Sequence, residues 1–252
     1  MRHGYCHIPL APCRADASDK SEMVTQLLFG EHFEVLEKQE KWSKIRIAQD
    51  AYECWIDNKQ YLTLFVDQFE ELQRKKILRT SENMGRIMHQ GNVMFVPIGS
   101  ALPFFDKGTI KISNQEYSYN GAYNGQQHIA EIARVFLNAP YLWGGKSSMG
   151  IDCSGFTQVV FSVCGIQLPR DAYQQAEIGE VVDFMEEAQE GDLAFFDNEE
   201  GRIIHVGIIL NDQRIIHASG KVRIDKIDHE GIYNEDSKSY THKLRLIKRV
   251  GN

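Results

Sequence analysis

The stretch that most constrains how this chain folds is Gly150-Ile151-Asp152-Cys153-Ser154-Gly155-Phe156-Thr157, with an apolar run directly after it. The apolar residues have helical spacing, at positions 156, 159, 160 and 163, and predict a buried helix. Asp152 is a good N-cap, which places Cys153 in the first turn, and Gly165 ends the helix. A thiol there feels the positive end of the helix dipole, which favours the nucleophilic thiolate. Because a lone cysteine is more often an inert core residue, this feature alone does not decide the function.

Two histidines downstream offer the base that a cysteine nucleophile needs. His205 lies in Ile203-Ile204-His205-Val206-Gly207-Ile208-Ile209, and His217 lies in Arg214-Ile215-Ile216-His217-Ala218-Ser219. Both runs are rich in β-branched residues, and the turn residues at 211–212 between them predict a hairpin. Because 205 and 217 differ by an even number, the hairpin can bring both imidazoles together on one face. The first would act as general base and the second would orient it, although either histidine alone is better explained as a structural residue.

Several short motifs occur in a fixed order: Tyr141-Leu142-Trp143-Gly144-Gly145, Asp152-Cys153-Ser154-Gly155-Phe156, Leu168-Pro169-Arg170, His205-Val206-Gly207-Ile208 and His217-Ala218-Ser219. Together they resemble the NlpC-type cysteine peptidases of bacterial cell-wall metabolism, over roughly residues 122–250. The resemblance implies a papain-like α+β domain in which Cys153 is the nucleophile, His205 the base and His217 the third polar residue. It also implies hydrolysis, through a thioester, of the bond between γ-D-glutamate and an L-diamino acid in murein peptides, without a metal or organic cofactor.

The N-terminal half predicts two small all-β domains before the catalytic domain. Residues 1–65 contain alternating stretches such as 33–37 and 42–47, separated by turn signals, which indicates a small barrel that resembles a bacterial SH3-like domain. Residues 66–120 are predicted to form a linker helix over 67–76 and a second SH3-like barrel. Residues 121–252 form the predicted catalytic domain, which opens with an amphipathic helix over 127–137.

Two barrels before such a catalytic domain resemble the subgroup that acts on free stem peptides beginning with L-Ala-γ-D-Glu. There, acidic and tyrosine groups hold the α-amine of the peptide, which suits an ammonium ion in a closed cleft. By this resemblance Asp152, beside the nucleophile, is the first candidate for binding the amine, and Glu22 and Tyr52 of the first barrel come second. Trp143 and Ser154 are further substrate-binding candidates. Structural roles stay open for three of them, namely an N-cap for Asp152, a solvated carboxylate for Glu22 and a barrel-core aromatic for Tyr52. Ala172 stands where some relatives have a serine that would bond the substrate, and Arg170 and Gln175 are expected at the surface, outside the site.

Charge and composition limit the remaining function classes. The formal net charge of the 252 residues is −7, which argues against nucleic acid or an anionic membrane as partner. No stretch approaches the roughly 18 apolar residues of a transmembrane helix, and the N-terminus lacks the apolar segment of a signal peptide. We therefore expect a cytoplasmic monomer, or an exported protein if the natural N-terminus is longer. An odd count of five cysteines indicates free thiols in a reducing compartment.

Three other functions stay open at this point. A wall-acting endopeptidase, a peptidoglycan-binding protein without catalysis and an acyltransferase with the same Cys–His arrangement are all compatible with the fold. The joint presence of Cys153, His205 and His217 favours an enzyme over a binding protein. The residues do not distinguish diaminopimelate from lysine as the diamino acid.

Overall fold

The structure, a computed structural model, describes residues 2–125 and 127–251. They form two compact units: unit 1 comprises the described part of Met1–Gly125 with Trp143–Ser147, and unit 2 the described parts of Gln126–Leu142 and Ser148–Asn252. Segment Trp143–Ser147 therefore packs with unit 1 although it lies inside the predicted catalytic domain. The predicted boundaries 1–65, 66–120 and 121–252 stay predictions. Across the described ranges, every helix is too short or too polar to span a bilayer.

Unit 1 begins with a seven-stranded antiparallel sheet. Its strands are β1 (Arg2–Cys6), β2 (Leu10–Arg14), β3 (Met23–Leu28), β4 (His32–Lys38), β5 (Trp42–Ile47), β6 (Glu53–Asp57) and β7 (Tyr61–Leu64). Their spatial order is β3-β2-β6-β5-β4-β1-β7. The alternation in the sequence arises because one face of each strand is buried, so that Phe33, Ile45 and Ile56 share one core.

The rest of unit 1 is one helix, a five-stranded sheet and a two-stranded ladder. The elements are α1 (Val66–Arg74), β8 (Leu78–Arg79), β9 (Met84–His89), β10 (Asn92–Pro97), β11 (Ala101–Leu102), β12 (Phe105–Asp106), β13 (Thr109–Ile112) and β14 (Gln115–Tyr119). The larger sheet has the order β10-β9-β14-β13-β12, and β8 pairs with β11. Phe69 of α1 shares a core with Ile87 of β9 and with Tyr5 of β1. The two β regions therefore stabilise one another through common apolar burial.

A buried ion cluster holds segment Trp143–Ser147 within unit 1. The Lys146 ammonium lies 3.3 Å from both carboxylate oxygens of Glu31, and Arg79 lies 3.3 Å from one of them. Burial acts to raise the pKa of Glu31, but Lys146 and Arg79 outweigh it and hold the pKa below its usual value. Loss of either cation would leave a buried carboxylate without full compensation, so this cluster constrains the position of the segment.

Unit 2 combines short helices with a curved antiparallel sheet. The helices are α2 (Ile129–Val135), α3 (Cys153–Val163), α4 (Ala172–Gln175) and a 3₁₀ turn (Met185–Glu187). The strands are β16 (Gly150–Ile151), β17 (Glu180–Val182), β18 (Leu193–Asp197), β19 (Ile203–Leu210), β20 (Arg214–Ser219), β21 (Lys221–Ile227), β22 (Gly231–Asn234) and β23 (Ser239–Arg249); the short β15 (Lys146–Ser147) belongs to unit 1. The sheet order is β17-β23-β18-β19-β20-β21-β22, and β22 also pairs with β23. Strands β18 to β23 thus close into a ring around an apolar core that contains Phe196, Ile215 and Ile232.

Helix α3 is the central element of unit 2. Every residue from Cys153 to Val163 is buried, as the apolar spacing predicts, and the helix packs on β19 and β20. The predicted α+β class, with an all-β N-terminal half, is confirmed. The helix expected over 127–137 is shorter than predicted, because only Ile129–Val135 has helical backbone.

Candidate active site

The start of α3 holds the thiol in a defined position. The Asp152 side chain caps the helix, since its Oδ1 accepts a 2.6 Å hydrogen bond from the Gly155 backbone N–H. Cys153 is only 7 % exposed, and its sulfur accepts hydrogen bonds from the backbone N–H groups of Ser154 and Val206. Because Val206 directly follows His205 on β19, the fold brings the nucleophile candidate to the strand that carries the predicted base.

The predicted histidine pair forms on the hairpin of β19 and β20. The two rings meet with 2.9 Å between Nε2 of His205 and Nδ1 of His217. The hairpin register places Gly207 opposite His217. A Cβ atom at Gly207 would lie 2.9 Å from Cβ of His217 and 2.7 Å from the Ile215 side chain, so only glycine leaves room for the pair at this position.

The hydrogen-bond chain continues to an acid that the sequence reasoning missed. Nε2 of His217 lies 3.0 Å from Oδ2 of Asp225, which is buried on the neighbouring strand β21. Arg223 donates to both oxygens of the same carboxylate, at 2.6 and 2.9 Å. The residue opposite His217 in the β20–β21 register is Arg223, so Asp225 lies diagonally across from His217 on the same face. An acidic residue inside the apolar alternation of 222–227 is the signal that could have revealed it.

A third histidine, His242 of β23, was also missed. Its ring stacks on His205 with centroids 4.2 Å apart and an interplanar angle of 27°, and its Nδ1 lies 2.9 Å from Oγ1 of Thr241. Burial and the neighbouring His217 lower the pKa of His242 to about 4, so it is neutral at neutral pH. His242 also lines a groove of about 610 Å³ between the β18–β19 loop and β23. His242 therefore connects the histidine cluster to this groove.

The three imidazoles raise the question of a metal site. Among the side chains of residues 2–125 and 127–251, His205, His217 and His242 are the group whose ligand atoms converge, within 4.8 Å of one another. Metal ligands must direct their lone pairs at one centre, whereas the rings of His205 and His242 are stacked. This arrangement does not fit a shared metal ion, and we derive no step through one.

A buried ion pair between Arg170 and Asp152 corrects the expectation for Arg170. Arg170 is 1 % exposed and donates to both oxygens of Asp152, at 3.2 and 2.5 Å, and to Oγ of Ser154 at 2.8 Å. Gln175 is fully buried and donates to the backbone oxygens of Ser154 and Pro169. The prediction that these two residues are surface groups is wrong, because both side chains are buried and hydrogen-bonded to residues at the start of α3.

Burial dominates the proton affinity of the thiol. It raises the pKa of Cys153 to about 12, and the nearby Asp152 carboxylate adds to this, while the N–H of Val206, the Arg170 charge and the N–H of Ser154 act in the opposite direction. The helix start does favour the thiolate, through the N–H of Ser154, but burial outweighs this contribution. Burial together with the neighbouring His217 and His242 lowers the pKa of His205 well below its usual 6.5. At neutral pH, therefore, both the thiol of Cys153 and the imidazole of His205 are uncharged.

These values predict slow alkylation of Cys153 by iodoacetamide. A pKa near 12 leaves a thiolate fraction at pH 7 roughly 10³-fold below that of an ordinary thiol. Even allowing for the greater nucleophilicity of a basic thiolate, we expect the rate at pH 7 to be at least about 10-fold below that of free cysteine and to climb between pH 8 and 10. Intact-mass spectrometry in a Cys164→Ala background measures it. Alkylation as fast as that of free cysteine at pH 7 would contradict a protonated resting thiol.

Tyr141 brings a hydroxyl close to Cys153 and Asp152. Burial, followed by the acidic groups of Cys153 and Asp152, raises the pKa of Tyr141 to about 12. The phenol therefore keeps its proton at neutral pH and can donate a hydrogen bond near the thiol. Sequence reasoning used this residue only as part of a motif; its position before the nucleophile was the available signal.

The other predicted substrate contacts lie in unit 1. Trp143 and Glu22 come together, with Nε1 of Trp143 donating a 2.6 Å hydrogen bond to Oε1 of Glu22. Tyr52 is half-buried and packs against the core of the first sheet, in line with its structural alternative. Asp152 and Ser154 lie in unit 2 and bond to Arg170. The substrate-binding role of all five residues stays a prediction.

Comparison with known proteins places these elements in a family context. The NlpC/P60 family profile matches residues 138–242, and the profile of the bacterial dipeptidyl-peptidase Sh3 domain matches residues 13–60. The first range contains Cys153 and the three clustered histidines, His205, His217 and His242. The second lies within the first sheet of unit 1, as the SH3-like prediction requires.

Individual relatives agree with the profiles. A γ-D-glutamyl-L-lysine dipeptidyl-peptidase of Bacillus cereus is 27 % identical over 229 residues, covering 80 % of this chain and 68 % of the relative. A probable endopeptidase of Haemophilus influenzae is 38 % identical over 116 residues, covering 42 % of this chain and 70 % of the relative. The crystal structure of an NlpC/P60 family protein from Bacillus cereus superposes with a TM-score of 0.81 at 20 % identity, covering 98 % of this chain and 99 % of that one. This last likeness confirms the predicted fold class.

Proposed function

Because the chain belongs to the NlpC/P60 family of cysteine peptidases, we propose that it hydrolyses the γ-D-glutamyl–L-diamino acid bond of murein stem peptides that carry a free N-terminal L-Ala. The observation that carries the proposal is that the sulfur of Cys153 accepts a hydrogen bond from Val206, the residue after His205, and that His205 is hydrogen-bonded to His217. A nucleophile, a base and an orienting group are the parts that acyl transfer to a thiol requires.

The first half of the reaction forms a thioester. The sulfur of Cys153 attacks the γ-carbonyl carbon of D-glutamate while His205 takes the thiol proton. This transfer avoids a free resting thiolate, which the raised pKa of Cys153 disfavours. Backbone N–H groups at the start of α3 stabilise the oxyanion that forms on the carbonyl oxygen. The carbon–nitrogen bond then breaks, and His205 gives its proton to the leaving amine of the diamino acid.

The second half releases the dipeptide. His205, neutral again, removes a proton from water as the water oxygen attacks the thioester carbonyl. The carbon–sulfur bond breaks, the proton returns to sulfur, and L-Ala-D-Glu leaves with a free γ-carboxylate. Since burial, His217 and His242 keep the pKa of His205 well below 6.5, the base is available throughout the neutral range.

Recognition of the free amine is the finer part of the proposal. The Bacillus cereus relative is named as a γ-D-glutamyl-L-lysine dipeptidyl-peptidase, which supports an enzyme that recognises the free N-terminus and releases the first two residues. Asp152, directly before the nucleophile in unit 2, is our first candidate for binding the amine, because an ammonium ion in a closed site needs a carboxylate partner. The same proposal includes a role in the recycling of cell-wall peptides and a cytoplasmic location.

The test compares L-Ala-γ-D-Glu-L-Lys with its N-acetylated form, with products identified by mass spectrometry. Acetylation removes the charge that a carboxylate would pair with, so we expect kcat/KM to fall by about 10²-fold. Equal rates on both peptides would contradict amine recognition and favour a wall-acting endopeptidase, the second candidate, which the Haemophilus influenzae relative supports.

A further inference from the structure

We infer that Asp225 is a positioning residue that fixes the tautomers of both His217 and His205, so that Nδ1 of His205 is the atom that accepts the thiol proton. This inference rests on the proposed peptidase function for its catalytic consequence. Its structural part, the location of two protons, can be measured without any substrate.

The carboxylate of Asp225 determines the direction of this hydrogen-bond chain. An ionised carboxylate only accepts hydrogen bonds. Burial raises the pKa of Asp225, but His217 and Arg223 outweigh it and keep the pKa below its usual value, and Arg223 bonds to both oxygens. The 3.0 Å contact between Oδ2 of Asp225 and Nε2 of His217 therefore requires that Nε2 carries the proton.

The proton on His217 decides the proton on His205. A neutral imidazole with hydrogen on Nε2 has a lone pair on Nδ1, and this atom lies 2.9 Å from Nε2 of His205. Nε2 of His205 must then be the donor, which leaves its Nδ1 as the only basic atom of the ring. If Nδ1 of His217 carried the proton instead, the lone pair on its Nε2 would face a lone pair of the Asp225 carboxylate. The cost would be comparable to that of a buried unmade hydrogen bond.

The same chain acts during the reaction. When His205 takes the thiol proton it becomes an imidazolium, whose Nε2–H still donates to His217, and His217 still donates to Asp225. His217 is 1 % exposed and Asp225 is 3 % exposed, so the negative charge acts on the imidazolium with little screening from water. Among the described residues, the charged or titratable groups around the chain include Arg223 on β21, His242 on β23, Asp236 through Arg223, and Glu235, which interacts electrostatically with Asp225.

Direct evidence comes from nitrogen-15 NMR of histidine-labelled wild-type protein at pH 7.5. We expect the Nε2 of both His205 and His217 to show the chemical shift of a protonated nitrogen, and both Nδ1 atoms that of an unprotonated one. Spectra of His217→Gln and His205→Gln proteins assign the signals. A proton on Nδ1 of His217 in the wild type would overturn the inference whether or not the peptide is cleaved.

The catalytic consequence is tested with Asp225→Asn. An amide beside Arg223 cannot present two acceptor oxygens, so the tautomers are no longer fixed, and we expect kcat to fall about 10- to 100-fold while KM changes by less than about 3-fold. Asp236→Asn is the matched control: it also removes a carboxylate bonded to Arg223, but its side chain is 82 % exposed, and its kcat should stay within about twofold of wild type. A folded Asp225→Asn protein with wild-type kcat would overturn the inference. If the wild type cleaves no peptide, the proposed function fails while the NMR result still stands.

Discussion

Replacement of Cys153 by alanine is expected to lower kcat on L-Ala-γ-D-Glu-L-Lys at least about 10⁴-fold, to the limit of detection. The sulfur forms the covalent bond in the proposed reaction, and no neighbouring group can substitute for it. Removing the thiol creates little void because the side chain is small. Substrate binding should therefore persist, which equilibrium titration with the uncleaved peptide measures.

The same helix supplies the control for this experiment. Cys164 is the C-cap residue at the opposite end of α3 and, like Cys153, is a free thiol. Cys164→Ala removes the same atoms at a site remote from the histidines and should keep kcat within about twofold of wild type. Cleavage by Cys153→Ala at the rate of the Cys164→Ala protein would refute the assignment of the nucleophile.

Replacement of Arg170 by methionine should strongly destabilise unit 2. It leaves the buried Asp152 carboxylate at the start of α3 without its cation, and such a loss costs about 3–5 kcal/mol. All three tryptophans lie in unit 1, at positions 42, 55 and 143, so tryptophan fluorescence does not report directly on this helix. Hydrogen exchange of the α3 amides measures the loss of protection.

Two further variants separate charge from packing in this experiment. Arg170→Lys keeps a cation but loses the bidentate geometry, and should cost less than Arg170→Met. The double variant Asp152→Asn with Arg170→Met removes both charges while asparagine still caps the helix, and should recover part of the lost protection. Equal protection in all three proteins would contradict the role of this ion pair.

Sequence reasoning succeeded where the signals were local. The N-cap of α3, its buried face and its end at Gly165 all follow from residues within one short stretch, and the structure has helix over Cys153–Val163. The hairpin of β19 and β20 was predictable because turn residues and an even separation determine which side chains face each other. The contact between His205 and His217 follows directly from that geometry.

The missed features depend on contacts between distant segments. Arg170 looks like a surface cation in sequence, and only the fold shows that it ends beside Asp152. Asp225 and His242 reach the histidine pair from two other strands of the ring, whose register no local pattern specifies. The pKa of Cys153 could not be predicted from the sequence for the same reason, because burial is a tertiary property whereas the helix dipole is a local one.

The most direct test of the central claim is hydrolysis of L-Ala-γ-D-Glu-L-Lys in water enriched in oxygen-18, with mass spectrometry of both products. The account predicts that wild-type protein yields L-Ala-D-Glu carrying one labelled oxygen in its γ-carboxylate and unlabelled lysine, and that Cys153→Ala yields neither. Cleavage at the Ala–Glu bond instead, or labelled dipeptide formed equally by the Cys153→Ala protein, would contradict attack by Cys153 on the γ-glutamyl carbonyl.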